Sequence, residues 1–263
     1  MTVYQRDMLA GKTAVITGVS RQIGIGAAVA RALAEVGCNV FTTYYRSYDA
    51  AMPWGSQADE AEALIAELRQ MGVRAEGFEL DLSDPAAPPI LFDAAEATIG
   101  SADILVNNAT YSVNDGMMGL TAVHIDHHYT VNVRGMMLLC AEFVRRFQGE
   151  WGRIINLSSE QGAGPMPDEL AYAATKGAVE AFTVSLAAGI AGRNITVNAI
   201  DPGATDTGWM SPDLYAHLVA HSPMGRVGPA GRRRPTDPFS GFVGSGLDYR
   251  ADYSFTRGKL KCV

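Results

Sequence analysis

The residues best suited to chemistry are Tyr172 and Lys176, in the run Tyr172-Ala173-Ala174-Thr175-Lys176. They lie in a small-residue stretch, Leu170 to Gly189, that predicts a helix. Positions i and i+4 share one helix face, so the phenol and the ammonium are neighbours. A free tyrosine ionises at a pKa of about 10. A cation held nearby favours the phenolate and is expected to lower that value. A tyrosine tuned in this way gives or takes a proton near neutral pH. By themselves the two residues equally fit an ordinary surface Tyr and Lys. They become a site only with a dinucleotide-binding turn upstream and a polar partner close by.

The elements that must position them follow from the apolar pattern. Thr13 to Thr17 reads as a buried strand, followed by a turn with Gly18, Gly24 and Gly26. Ala27 to Val36 reads as a helix, with Ile25, Val29, Leu33 and Val36 at helical spacing and a stop at Gly37. Strand, glycine turn and helix together place a phosphate at a helix N-terminus. The spacing is not a strict G-x-G-x-x-G, and glycine turns also join strands to helices without any ligand. A second strand covers Asn39 to Tyr45. A carboxylate at its end would bind the adenosine ribose hydroxyls and mark NAD. Tyr44-Tyr45-Arg46 stands there instead, with no acid until Asp49. Arg21 in the turn and Arg46 suit a 2′-phosphate, which favours NADP(H) over NAD(H). The alternative is that both arginines are solvated.

Further along, Asp49 to Gln57 reads as a loop and Ala58 to Met71 as an amphipathic helix. Ala75 to Leu80 is a strand ending at Asp81, Pro85 to Pro89 a breaker, and Leu91 to Ile99 a helix. Ala102 to Val106 is a strand running into Asn107-Asn108-Ala109. A long helix is expected within Ala122 to Gln148. Arg153 to Leu157 is a strand leading to Ser158-Ser159, and Ile195 to Ile200 a strand leading to Asp201-Pro202-Gly203. Regular alternation predicts an α/β fold, one doubly wound parallel sheet of the Rossmann type. Ligands of such sheets bind outside the carboxyl ends of the strands. The glycine turn, Asp81, Asn107 to Ala109, Ser158-Ser159 and Pro202-Gly203 all fall there.

Composition excludes several classes. The 263 residues are 48% apolar, enough for a sizeable core, and carry a net charge of −7, which argues against nucleic-acid binding. No run of about 18 apolar residues suggests a membrane span. Met1 to Gly11 lacks the apolar segment of a signal peptide. Cys38, Cys140 and Cys262 are scattered, which fits a reducing cytoplasm better than disulfides or zinc. His124 and His128 are spaced to chelate a metal on a helix, but no third ligand follows, so a solvated helix face is expected. Met117, Met118, Met136 and Met137 suit core or pocket wall.

In combination, Thr17-Gly18 with Ile23-Gly24, Asp81, Asn107-Asn108-Ala109, Asn132, Ser159, Tyr172 with Lys176, and Pro202-Gly203 with Thr207 resemble the short-chain dehydrogenase/reductase family. The resemblance covers about residues 10 to 228, and the pattern is most similar to the 3-oxoacyl-carrier-protein reductases. It implies that Tyr172 protonates a carbonyl oxygen, that Ser159 rather than Ser158 hydrogen-bonds the same oxygen, and that Lys176 holds the nicotinamide ribose and lowers the Tyr172 pKa. Asn132 would hold a water leading from Lys176 to solvent. Gly18, Ser20, Arg21, Ile23 and Gly24 would surround the pyrophosphate, with Arg46 near the 2′ position. Asp81 and Leu82 would meet the adenine, and Asn108 and Ala109 would line the cofactor. Pro202, Gly203, Thr205 and Thr207 would sit by the carboxamide. Trp209-Met210 falls where the family has a mobile substrate lid, and Met166-Pro167 suits the pocket wall. Two positions depart from the family: Gln22 replaces a turn glycine, and Thr110 follows Ala109 where glycine is usual.

The resemblance stops near residue 228, and 229 to 263 form an atypical tail. Arg232-Arg233-Arg234-Pro235 breaks any helix, and Asp248 to Arg257 offers no apolar strand. Leu247 to Gly258 can be encoded so that reading one base later yields Trp-Ile-Thr-Gly-Gln-Ile-Ile-His-Ser-Arg-Gly, which resembles the family's last strand. A frameshift starting near Pro229 to Arg233 is therefore expected, and with it a missing or altered seventh strand. The expected function is hydride transfer between NADP(H) and a ketone or secondary alcohol, a 3-oxoacyl thioester among the candidates, by a homodimer or homotetramer that needs no metal. The alternative is a nucleotide-binding pseudoenzyme disabled by its tail.

Overall fold

Strands and helices alternate along the chain in the computed structural model, which describes residues 7–57, 59–159, 165–222 and 225–229. The first half runs β1 (Thr13–Ile16), α1 (Ile25–Glu35), β2 (Asn39–Tyr44), α2 (Arg46–Ala50), α3 (Glu60–Gln70), β3 (Ala75–Glu79), α4 (Ala87–Thr98) and β4 (Ile104–Asn107). Then come α5 (Gly116–Gly119), α6 (Ala122–His128), a π-helical segment (Tyr129–Gly135), α7 (Met136–Arg146), β5 (Gly152–Leu157), α8 (Leu170–Gly189) and β6 (Ile195–Ile200). After β6 lie a short β7 (Thr205–Asp206), α9 (Pro212–His221) and β8 (Gly228–Pro229), which pairs with β7.

The sheet has six parallel strands in the order β3-β2-β1-β4-β5-β6. Successive strand residues point to opposite faces. Ala14 and Ile16 pack with α1 and α3 on one side. Val15, Phe41, Leu105 and Ile154 pack with α4, α7 and α8 on the other. Strands buried on both faces read as continuous apolar runs, which is why they were legible in the sequence. The order reverses between β1 and β4, and sheets of this kind bind their ligands beyond the carboxyl ends of the strands at such a point.

α8 and β6 have the bounds the periodicity predicts. Five expectations are corrected. Met117 and Met118 are neither core nor pocket wall but stand exposed on α5. Pro88 and Pro89 do not break α4 but lie in its first turn, where a missing N–H costs nothing and the ring presets φ. Asp49 is not in a loop, because α2 takes up Arg46 to Ala50. The expected long helix is divided by the π-helical segment that carries Asn132. His128 is not on a solvated face: it is fully buried, with Nδ1 2.6 Å from the His124 carbonyl and Nε2 accepting from the Val113 N–H at 3.4 Å. Beyond Pro229 the expected frameshift and altered strand lie outside the described residues. No helix among the described residues is long and apolar enough to cross a membrane, and no group of three His, Cys, Asp or Glu among them could hold a metal.

Candidate active site

The glycine turn is built by close approach. Gly18 has φ +71°, and a Cβ on it would lie 2.6 Å from the Ala109 Cα. A Cβ on Gly26 would lie 2.7 Å from Asn108 Nδ2. Only glycine admits that backbone path. Asn108 then secures it: Nδ2 donates to the carbonyls of Thr17 and Gly18, both at 2.9 Å. The Asn108 and Ala109 N–H groups donate to Thr17 Oγ1. The Asn108 amide is thus a brace for the turn, and Ala109 is the surface against which the turn folds. Gln22, where the family has glycine, needs no special φ. Its N–H donates to Glu60 Oε1 at 2.7 Å and its carbonyl accepts from Arg31 at 2.8 Å, so neighbouring helices hold the turn.

α1 starts at Gly24, which supplies no side-chain cap, and its first turn carries no acid. A helix N-terminus of this kind presents free N–H groups and the positive end of the helix dipole. The glycine cradle, none of whose own side chains is a carboxylate, fits the pyrophosphate of a dinucleotide. Arg21 lies across its mouth, donating to the Thr207 carbonyl and stacking at 4.8 Å over Trp54. The Trp54 indole N–H donates to Asp49 Oδ1 at 2.9 Å. Ile23 is exposed beside Arg21. Arg46 stands at the end of β2 but is paired with Glu79, so its charge is already matched. Asp81 closes a local turn onto the Ser83 N–H, and Leu82 is buried next to it.

The Ser159, Tyr172 and Lys176 group sits where β5 ends and α8 begins. Ser159 hydrogen-bonds the Tyr172 hydroxyl. Ser158 points elsewhere, donating to Glu180 at 3.0 Å, so the two serines have separate partners. Lys176 is 4% exposed. Its ammonium donates to the Leu157 carbonyl at 2.8 Å and lies 5.3 Å from the Tyr172 ring centroid. The expected lowering of the tyrosine by the lysine is not found. Burial pushes the Tyr172 phenol up to about 12, the Ser159 hydrogen bond offsets part of this, and Glu169, Asp201 and Tyr48 add to the rise. Burial likewise pushes Lys176 down to about 8, against the attraction of Asp201. Desolvation penalises the charged form of each group and is the largest cause of both shifts.

Asn132, 3% exposed, accepts from the Tyr111 N–H at 2.7 Å and donates to the Tyr111 carbonyl and to Thr175 Oγ1. It therefore ties the loop after β4 to the residue preceding Lys176. A buried chain that sequence reasoning missed runs beneath: Thr183 accepts from Asn156, whose Oδ1 accepts from Asn107 Nδ2 at 2.8 Å. Nothing in the local sequence marks it, because its members come from α8, β5 and β4. On the far side, the Gly203 N–H donates to Asp201, and Thr205 Oγ1 donates to the Pro202 and Gly203 carbonyls. Thr207 reaches the turn only through its carbonyl on Arg21. Ser20 is half-buried in the turn.

The family profile described as short chain dehydrogenase matches residues 12–215. An uncharacterized oxidoreductase, YjdA of Bacillus subtilis (strain 168), is 44% identical over 220 residues, 82% of this chain and 84% of that one. The 3-oxoacyl-[acyl-carrier-protein] reductase FabG of Aquifex aeolicus (strain VF5) is 31% identical over 225 residues, 84% of this chain and 86% of that one. A crystal structure of a short chain dehydrogenase from Burkholderia cenocepacia J2315 in complex with NADP is 34% identical, with a TM-score of 0.75 over 85% of this chain and 87% of that one. A glycine cradle, a Ser–Tyr–Lys group at one sheet edge and a match across most of the chain agree: the protein belongs to the short-chain dehydrogenase/reductase family of NAD(P)-dependent oxidoreductases, which transfer a hydride to or from a nicotinamide cofactor.

Proposed function

We propose that the protein reduces a ketone, or the keto group of a 3-oxoacyl thioester, and prefers NADPH. The observation that carries this reading is the Ser159–Tyr172 hydroxyl pair beside buried Lys176. The nicotinamide dinucleotide supplies the hydride when bound. Tyr172, protonated throughout the neutral range, donates its proton to the developing alkoxide. Ser159 holds the same oxygen and orients the phenol. Below its own value of about 8, Lys176 is mostly cationic and stabilises the phenolate as it forms. Asn132 fixes α8 at Thr175 and so holds Lys176 in place.

Gly18, Ser20, Ile23 and Gly24 shape the pyrophosphate site, and Asp81 and Leu82 face the adenine. Asn108, Ala109, Pro202, Gly203, Thr205 and Thr207 line the nicotinamide half. Arg21 is the better-placed cation for a 2′-phosphate, since Arg46 is held by Glu79. The NADP complex of the Burkholderia relative supports that preference, and FabG of Aquifex aeolicus supports a 3-oxoacyl thioester. Val123, Ile125, Tyr129 and Val184 leave apolar surface exposed on α6, the π-helical segment and α8, which supports assembly as a homodimer or homotetramer.

The test is NADPH and NADH oxidation over a panel of ketones and small 3-oxoacyl thioesters, with Tyr172→Phe alongside. The variant is expected to lose about 10²–10⁴ in kcat/KM while still binding NADPH. Equal rates for both proteins sink the assignment of the acid. NADPH binding by the parent without any turnover favours a nucleotide-binding chain that has lost activity.

A further inference from the structure

α8 begins without a cap of its own. Its N-cap residue, Glu169, makes no side-chain hydrogen bond to the helix, and the first turn holds no acid. The cap comes instead from Asp115, distant in sequence, in the segment between β4 and α5. Asp115 Oδ1 accepts from the Leu170 N–H at 2.8 Å and Oδ2 from the Ala171 N–H at 3.0 Å. These are the two residues just before Tyr172. The Asp115 and Gly116 N–H groups donate in return to the Asp168 carbonyl, at 2.9 and 3.3 Å. Asp115 is 8% exposed, so its charge-assisted bonds are sheltered from water. The segment that carries it is itself pinned along its length. Asn132 holds both backbone groups of Tyr111, the Tyr48 hydroxyl bonds both backbone groups of Ser112, and buried His128 receives the Val113 N–H.

We infer that Asp115 is a positioning residue for Tyr172: it fixes the start of α8 against the strut 111–116, and so sets the reach of the phenol to Ser159. A carboxylate at a helix N-terminus satisfies orphan N–H donors and complements the helix dipole. Here both effects act one residue away from the proton donor, whereas Asn132 acts one turn later at Thr175. The inference rests on Tyr172 being that donor. Without Asp115 the first turn of α8 frays, and Tyr172 leaves Ser159 for part of the time. The chemical step then slows, because the geometry is reached less often, while the nucleotide turn keeps its own braces from Asn108.

The experiment uses the full chain with Asp115→Ala and Asp115→Asn. Amide hydrogen exchange is followed across α8, and NADPH oxidation is measured with the carbonyl panel, with rates expressed per NADPH-binding site. For Asp115→Ala, exchange in the first turn of α8 is expected to rise at least about tenfold, with the sheet unchanged. Its kcat is expected to fall about tenfold or more, with carbonyl KM and NADPH Kd within about threefold of the parent. Asp115→Asn keeps one acceptor and recovers part of both losses. Unchanged exchange in the first turn, or parent kcat in Asp115→Ala, overturns the inference. If Asp115→Ala does not fold, Asp115→Asn decides: a lowered kcat at parent KM supports the role, and parent kcat overturns it. Tyr172→Phe separates the two levels. Full activity in that variant sinks the functional reading, whereas its loss beside parent rates in the Asp115 variants sinks only the positioning role.

Discussion

Tyr172 and Lys176 are displaced in opposite directions by one cause, the removal of water. The displaced lysine has a measurable sign. Its folded value of about 8 lies below the ordinary 10.5, so the folded state binds that proton more weakly than the unfolded chain does. Stability is therefore penalised below pH 8 and recovers as pH rises from 8 towards 10.5. Lys176→Met is expected to abolish turnover yet raise Tm at pH 7 by a few degrees (about 2–4 °C per kcal/mol in a chain of this size). The advantage should shrink across pH 8 to 10.5 in thermal melts. A gain independent of pH would show that packing, not the buried charge, is responsible. At the other end of the site, Arg21→Gln should raise KM for NADPH about tenfold, through loss of a charge-assisted phosphate contact, and raise KM for NADH much less. Initial-rate kinetics with both nucleotides check this, and equal effects on the two would remove Arg21 from the 2′ position. Both residues were legible as candidates from type and spacing. Their environment was not, since burial is a property of what packs around them.

Among the elements, the one that departs most from its sequence pattern is the interrupted helix from Ala122 to Arg146. Its apolar spacing reads as a continuous helix, but Tyr129 to Gly135 widens to a π-helix and turns Asn132 inward. Such widening recurs at functional sites, where it re-aims a side chain at the cost of regular hydrogen bonding. Gly135 lies against the neighbouring β3–α4 connection, and a Cβ there would sit 2.7 Å from the Leu82 carbonyl. Gly135→Ala should consequently cost about 1–3 kcal/mol in chemical denaturation, by forcing backbone apart. An unchanged midpoint would mean that the Leu82 carbonyl yields freely. The start of α4 makes the complementary point. The run Pro85 to Pro89 reads as a breaker because proline stops a helix it follows, yet in a first turn, where Pro88 and Pro89 lie, it starts one. The α8 boundaries were legible because a long small-residue run leaves little choice, whereas its cap by Asp115 was invisible.

For the whole molecule, buried acids of weak strength dominate its response to alkali. Burial holds Cys38, Cys140, Tyr48 and Tyr172 up at about 12. Each keeps its proton in the folded state after the unfolded chain has lost it, so each withdraws stability from about pH 9 or 10 upwards. Lys176 acts the other way only up to about 10.5, and the net expectation is cooperative unfolding above pH 10. Circular dichroism against pH tests this, and a flat signal to pH 12 would contradict it. The strand order places all the candidate groups at one edge, and that was foreseeable. Continuous apolar runs alternating with helices allow essentially one doubly wound parallel arrangement, and in it every strand ends at the same edge. By itself, then, the sequence determined the fold class and the family, and it marked the glycine turn and the Ser159, Tyr172 and Lys176 group as candidates, because these depend on local periodicity and residue type. Only the tertiary structure decided that Tyr172 is pushed up rather than down, that Arg46 is held by Glu79, that Asn108 braces the turn, and that Asp115 caps α8. Each of those depends on desolvation or on partners 30 or more residues apart, which no local pattern of residues encodes.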